Sequence, residues 1–233
     1  MSASGATKMS GMGERLDMRV VSRRLAIAVT TVAVLSGAPR LATAQTTPAQ
    51  TAPSTTQTTI GFARLPLNDA PSQIIDEVKI GSLGHDVGFL GDNIEHGPDV
   101  NLEMLFAPPD LLAVIGSPRP HIGADINTAG ETSDAYGGLT WGISLIQNLF
   151  RPDDYIFAQG SLGGAYQDGY TGTAPRGRKN LGSPVLFRES AEIGYQITPI
   201  ISVSAILDHI SNANLARHNA GITSAGGRVG FKF

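Results

Sequence analysis

From residue 60 onward this chain has no apolar run of helix-spanning length; instead, apolar and polar residues alternate in segment after segment. Successive side chains point to opposite faces only in an extended strand, so a period of two constrains the fold more than any other feature here. In "DVNLEMLF" (99–106), Val100, Leu102, Met104 and Phe106 share one face, with Asn101 and Glu103 on the other. In "PHIGADIN" (120–127), Ile122, Ala124 and Ile126 oppose His121, Asp125 and Asn127. Leu139, Trp141, Ile143 and Leu145 oppose Thr140, Gly142 and Ser144 within 135–149. Phe187, Ala191, Ile193, Tyr195 and Ile197 oppose Arg188, Ser190, Glu192 and Gln196. Ile201, Val203, Ala205 and Leu207 oppose Ser202, Ser204 and Asp208, and Val229, Phe231 and Phe233 oppose Arg228, Gly230 and Lys232. Residues 75–84 and 155–167 alternate less cleanly and complete eight candidate strands.

A soluble β-sandwich would alternate in the same way, and it would leave membranes with salt where a barrel needs detergent. Three features favour an eight-stranded antiparallel transmembrane β-barrel. First, the N-terminus reads as an export signal. Arg19, Arg23 and Arg24 form a basic region, Leu25 to Ala38 an apolar stretch, and Ala42-Thr43-Ala44 a cleavage site. Residues 1–44 are therefore expected to be a signal peptide, with Met18 as a possible true start. Residues 45–59, rich in Thr, Gln and Pro, are expected to be a disordered leader, and 60–233 the barrel. Second, the chain ends on Phe233 with apolar residues at alternate positions before it, like the signal read by the barrel assembly machinery. Third, the polar face is Gly-rich and ionisable, as in the lumen of a small barrel. Closure removes the edges that lipid cannot satisfy.

The remaining composition excludes more than it suggests. A net charge of −3 with no basic cluster argues against nucleic acid. The absence of Cys removes disulfides, thiol nucleophiles and Cys-type zinc sites. His85-Asp86 and Glu95-His96 are spaced loosely for a metal, and none is expected. Glu103, His121, Asp125, Arg188 and Glu192 have inward parity and read as a hydrogen-bonded lumen network. With the N-terminus in the periplasm, the connections at 85–98, 127–134, 168–183 and 213–222 face outside. Arg176, Arg178 and Lys179 in the third of these are placed to meet lipopolysaccharide phosphates.

One stretch, "AILDHISNANL" (205–215), breaks the pattern. His209 and Ser211 have the parity of Ile201, Val203 and Leu207, so they point outward at the outer end of their strand. Polar side chains facing lipid are costly unless paired. A serine hydroxyl becomes a nucleophile when a base lies beside it, and residues two apart on a strand share a face. Such a site would act on a lipid. Asp208 points inward and is rejected as a partner of the histidine.

The stretch "DHISNANLARHNAGITSAGGRVGFKF" (208–233) resembles the C-terminal part of the lipid A 3-O-deacylase family, outer-membrane barrels also called acyloxyacyl hydrolases. "GHDVGFLGDNIEHGPDVNLEMLF" (84–106) and "FRESAEIGY" (187–195) are similar to further segments of it. The resemblance implies hydrolysis of an ester-linked hydroxyacyl chain of lipid A in the bacterial outer membrane, with no cofactor. It implies Ser211 as nucleophile and His209 as general base. Asn212 would help the oxyanion hole, with backbone N–H groups such as that of Asn214. The family's third residue, a Glu fourteen positions after the His, falls on Thr223 here. Thr cannot supply charge, which makes a non-catalytic barrel of the same descent the rival reading.

Glu189 offers a substitute. Keeping apolar faces together in the hairpin through 198–200 pairs Ile197 with Ile201, Tyr195 with Val203, Ala191 with Leu207, and then Glu189 with His209. Glu189 is thus expected to orient His209 from the neighbouring strand.

Overall fold

The computed structural model describes residues 59–64, 74–88 and 91–233. The expected signal peptide, and all of the expected leader except Thr59, lie outside the described residues. Nine strands follow in order: β1 Thr59–Arg64, β2 Ile75–Gly84, β3 Pro98–Phe106, β4 Arg119–Asn127, β5 Asp134–Gln147, β6 Tyr155–Gln167, β7 Val185–Thr198, β8 Ile201–Ser211 and β9 Ile222–Lys232. Strands β2 to β9 pair antiparallel, each with the next, and β9 pairs back onto β2, which closes an eight-stranded barrel. All eight strands expected from periodicity are present.

The ninth was not anticipated. β5 is 14 residues long and β4 only 9, so β4 pairs with β5 no further than Thr140. β1 pairs with the rest of that edge, from Ile143 to Gln147. Backbone groups left open there would otherwise lack partners.

The two faces divide as the alternation requires. Val100, Leu102, Ile122, Ile126, Ile193 and Val203 stay exposed on the outer wall. Glu103, His121, Asp125, Arg188, Glu192 and Asp208 are buried inside. The lumen is filled by charge pairs: Lys79 Nζ lies 2.9 Å from Glu192 Oε2, Arg228 Nη1 3.2 Å from Glu103 Oε1, and Arg188 Nε 3.1 Å from Asp208 Oδ2. The Arg188 guanidinium also stacks over the Tyr136 ring at 3.5 Å. Removing one member of such a pair strands its partner, so the lumen specifies register as well as filling space. On the outer wall Trp141 Nε1 donates to the Ile115 carbonyl of a 3-10 helix, Asp110–Ile115, and Tyr195 donates to Asp154.

The described residues of the long connections (85–88 with 91–97, 128–133, 168–184 and 212–221) gather at one end. Glu95 ties three of them together. Its carboxylate accepts from the Thr132 and Lys179 backbone N–H groups and from Arg178 Nε, and lies 3.2 Å from His85 Nε2. Lys179 is fully buried, with Nζ 2.6 Å from Asp86 Oδ1 and 2.6 Å from the Gly221 carbonyl oxygen of the fourth loop. Below them Leu181 packs with Leu186, Ile210 and Ile222.

Candidate active site

β8 carries His209 and Ser211 to the long-loop end of the barrel wall, both half-buried and on the outer face. The β8–β9 register sets Thr223 directly opposite His209. Thr223 Oγ1 lies 2.8 Å from His209 Nδ1. His209 Nε2 and Ser211 Oγ make no hydrogen bond among the described residues, to each other or to another group. For Nε2 to take a proton it must be the bare nitrogen. The tautomer that does so carries its hydrogen on Nδ1 and donates it to the threonine oxygen.

Backbone contacts from two other loops hold this arrangement. Val87 N–H donates to the Thr223 carbonyl at 2.8 Å, Ala220 N–H to the Asn180 carbonyl at 3.1 Å, and Lys179 grips the carbonyl of Gly221 between them. Gly221 itself lies against the pair. A methyl group there would sit 3.0 Å from His209 Cε1, 3.0 Å from Ser211 Cβ and 2.8 Å from the Ile210 carbonyl oxygen. Only a residue without Cβ lets the loop approach this closely.

The β7–β8 register is the one expected from the sequence: Glu189 pairs with His209 and Phe187 with Ser211. It departs from expectation at the turn, where a bulge lets Thr198, not Ile197, pair with Ile201. Thr198 Oγ1 accepts from Ile201 N–H there, which tightens the turn by one residue. The register brings Glu189 beside His209 as expected. No hydrogen bond or ion pair joins it to His209; Thr223 occupies Nδ1 instead, and Glu189 acts on the ring only through space.

The part expected of Asn212 is corrected as well. Its Nδ2 donates to the Leu181 carbonyl at 2.7 Å and the His218 carbonyl at 2.5 Å. Its backbone N–H donates to Asn219 Oδ1. Every donor is committed, so the residue clamps the third loop to the fourth and leaves nothing for an oxyanion. The next two residues differ. Asn212–Leu215 is a tight turn with Ala213 at φ 52° and Asn214 at φ 63°, closed by Leu215 N–H on the Asn212 carbonyl at 3.0 Å. The Ala213 and Asn214 N–H groups have no acceptor among the described residues. A left-handed alanine costs about 1–2 kcal/mol, a strain that collects at functional sites.

An open groove of about 370 Å³ runs along the wall beside Ser211, lined by Leu162, Phe187, Glu189 and Ala213 among others. Sequence parity could not show it, because it lies between two rows of side chains on different strands. Of the three loop cations expected to meet phosphate, two are withdrawn. Arg178 pairs with Glu95 and Glu131, and Lys179 is buried on Asp86; Arg176 alone remains exposed. Burial opposes a charged His85, but hydrogen bonds to Asp99 and Glu95 overcome it and raise its pKa to about 9. Both its ring nitrogens are engaged by carboxylates.

This architecture, with His-x-Ser facing outward at the loop end of a closed eight-stranded barrel, can be set beside known proteins. Residues 120–232 match the family model of lipid A 3-O-deacylase, PagL. The resemblance is to PagL. The match takes in β5 to β9 and nearly all of β4, and with them His209, Ser211, Thr223 and Glu189. A crystal structure titled as the outer membrane enzyme PagL superposes with a TM-score of 0.50 at 18% identity, over 68% of this chain and 99% of that one. At that identity the likeness establishes the shared fold. Ail of Yersinia pestis, an outer membrane protein solved in a phospholipid bilayer nanodisc, is 13% identical over 69% of this chain and 100% of its own. Its TM-score of 0.37 bears no weight. No curated protein matches the chain.

Proposed function

We propose that this protein is a bacterial outer-membrane esterase that removes an ester-linked hydroxyacyl chain from lipid A. The observation that carries the proposal is the setting of His209: Thr223 Oγ1 lies on Nδ1, and Nε2 has no hydrogen-bond partner among the described residues, two residues from a serine likewise without one, beside a groove on the apolar wall. Ser211 Oγ attacks the ester carbonyl carbon, and Nε2 takes its proton. The carbonyl oxygen becomes an oxyanion, and the Ala213 and Asn214 N–H groups donate to it in this reading. Collapse breaks the bond to the sugar oxygen, which leaves with the proton from Nε2. Water then attacks the acyl-serine, with Nε2 again as base, and releases the fatty acid. The test is mass spectrometry of lipid A from cells with matched outer-membrane levels of the wild type and of Ser211→Ala. Loss of one hydroxyacyl chain only with the wild type supports the hydrolase.

One observation favours a second reading, a barrel that keeps the shape without the chemistry. Thr223 gives the imidazolium a hydrogen-bond partner but no negative charge. Unchanged lipid A, repeated with purified protein in detergent, would select it.

A further inference from the structure

The 3-10 helix Asp110–Ile115 belongs to the connection between β3 and β4, at the end of the barrel opposite the long loops. Short connections mark the periplasmic end of a barrel of this kind and lie outside its apolar band. This one is itself apolar: between Ala107 and Pro118 the only charged residue is Asp110. The helix buries none of its residues, and Leu111 is 74% exposed, Val114 89% and Ile115 46%. With about three residues per turn, Leu111 and Val114 stand on one face and Leu112 and Ile115 on the next. The turn between β5 and β6, at the same end, instead presents Arg151 and Asp153 at an exposed tip.

The helix is fixed to the outer side of the wall. Trp141 has the outward parity of Leu139 and Ile143, and its Nε1 donates to the Ile115 carbonyl at 2.9 Å. Gly116 follows against the indole, where an added methyl group would lie 3.6 Å from Trp141 Cδ1. Gly116 (φ 95°) and Ser117 (φ 55°) then reverse the chain, and their N–H groups donate to the Ala113 and Leu112 carbonyls. Pro108 and Pro109 precede the helix and Pro118 follows the reversal, so both approaches are stiff. The site is a step in the wall. β4 pairs with β5 no further than Thr140, β1 takes up at Ile143, and Trp141 lies between them. Backbone at such a step needs cover where it meets lipid.

We propose that this helix is a lipid anchor. Leu111 and Val114 insert among the acyl chains of the periplasm-facing leaflet, beside the barrel wall, with Asp110 at the level of the headgroups. Two observations choose lipid as the occupant. The apolar face continues the outer wall, to which Trp141 joins it, and Ile122 and Ile143 are exposed on the strands beside it. Three exposed side chains also fall far short of the about 800 Å² that each partner gives to a stable protein interface. Insertion covers the step between β4 and β1. It also lengthens the apolar wall where β3 and β4, at 9 residues each, are the shortest strands of the barrel. The anchor is independent of the chemistry at Ser211.

The chain has no Cys, so Val114→Cys gives a single labelling site. The full chain, carrying an environment-sensitive fluorophore there, is placed in phosphatidylcholine nanodiscs, which leave both membrane faces open to solutes. The acyl chains are either plain or brominated. Val203→Cys on the outer wall and Asp153→Cys in the β5–β6 turn are the lipid and water references, and heat-modifiable migration verifies each fold. The Val114 probe is expected to lose emission to brominated chains as the Val203 probe does, and to resist iodide, which quenches the Asp153 probe. Quenching by iodide, with or without quenching by bromine, overturns the anchor. Protection from both overturns it in favour of a second copy seated on the helix. Trp141→Phe removes the indole N–H and is expected to lower the fluorescence anisotropy of the Val114 probe; an unchanged anisotropy overturns the pinning of the helix to the wall.

Discussion

Replacing Thr223 by Glu puts a carboxylate where the structure holds a neutral hydroxyl 2.8 Å from His209 Nδ1. In the proposed reaction the charge matters only when the ring becomes imidazolium, during proton transfer from Ser211. A carboxylate about 4 Å from that cation, at an effective dielectric of about 20, is worth about 4 kcal/mol, or about a thousandfold in rate. Two costs oppose it. Thr223 is fully buried, so the longer side chain must displace its neighbours, at about 1–3 kcal/mol of stability. Burial of the new carboxylate removes part of the electrostatic gain. The net expectation is a rise in turnover of about ten- to a thousandfold, with a lower unfolding temperature. Thr223→Gln carries the same bulk without charge and should show the loss of stability with no gain in rate. Thr223→Val, which removes the hydroxyl and keeps the shape, should slow turnover about tenfold. The assay is fatty acid release from lipid A by purified protein in detergent, with heat-modifiable migration as the check on folding. If Glu and Gln at 223 give equal rates in folded protein, the charge deficit at this position is not what limits the chemistry, and the reasoning fails.

Other perturbations separate positioning from chemistry. Asn212→Ala frees the Leu181 and His218 carbonyls, at about 1–3 kcal/mol for each left unsatisfied. It should lower the unfolding temperature and raise hydrogen exchange in 180–183 and 216–220; an Asn212 variant with unaltered loops and lost turnover would instead restore an oxyanion role. Gly221→Ala pushes a methyl group against His209 Cε1 and Ser211 Cβ, and should lower kcat far more than it raises KM in steady-state assays. His85 has a folded pKa of about 9, above its ordinary 6.5. Its pairs with Asp99 and Glu95 therefore stabilise the loop end fully below about pH 6.5, and that contribution is lost as pH rises through 9. Trypsin cleavage at Arg176 and Arg178 should accelerate between pH 7 and 10 in the wild type, and this acceleration should be absent in His85→Asn.

Alternation was enough to anticipate the eight strands of the barrel, their inward and outward faces and even the pairing of Glu189 with His209. Face and register follow from a local period of two, which a sequence carries directly. The outward His-x-Ser was legible for the same reason. Other features depended on partners far along the chain. Arg178 and Lys179 looked like free loop cations because nothing local reveals that Glu95 and Asp86 wait for them across the barrel mouth. Asn212 looked like an oxyanion donor because its acceptors, the Leu181 and His218 carbonyls, are set by how two loops pack. β1 was missed because its pairing depends on β4 being shorter than β5, a mismatch that exists only once the barrel closes. By itself, the sequence determined which residues face which way. Only the tertiary structure decided which polar atoms are already spent and which, like His209 Nε2 and the Glu189 carboxylate, remain to act.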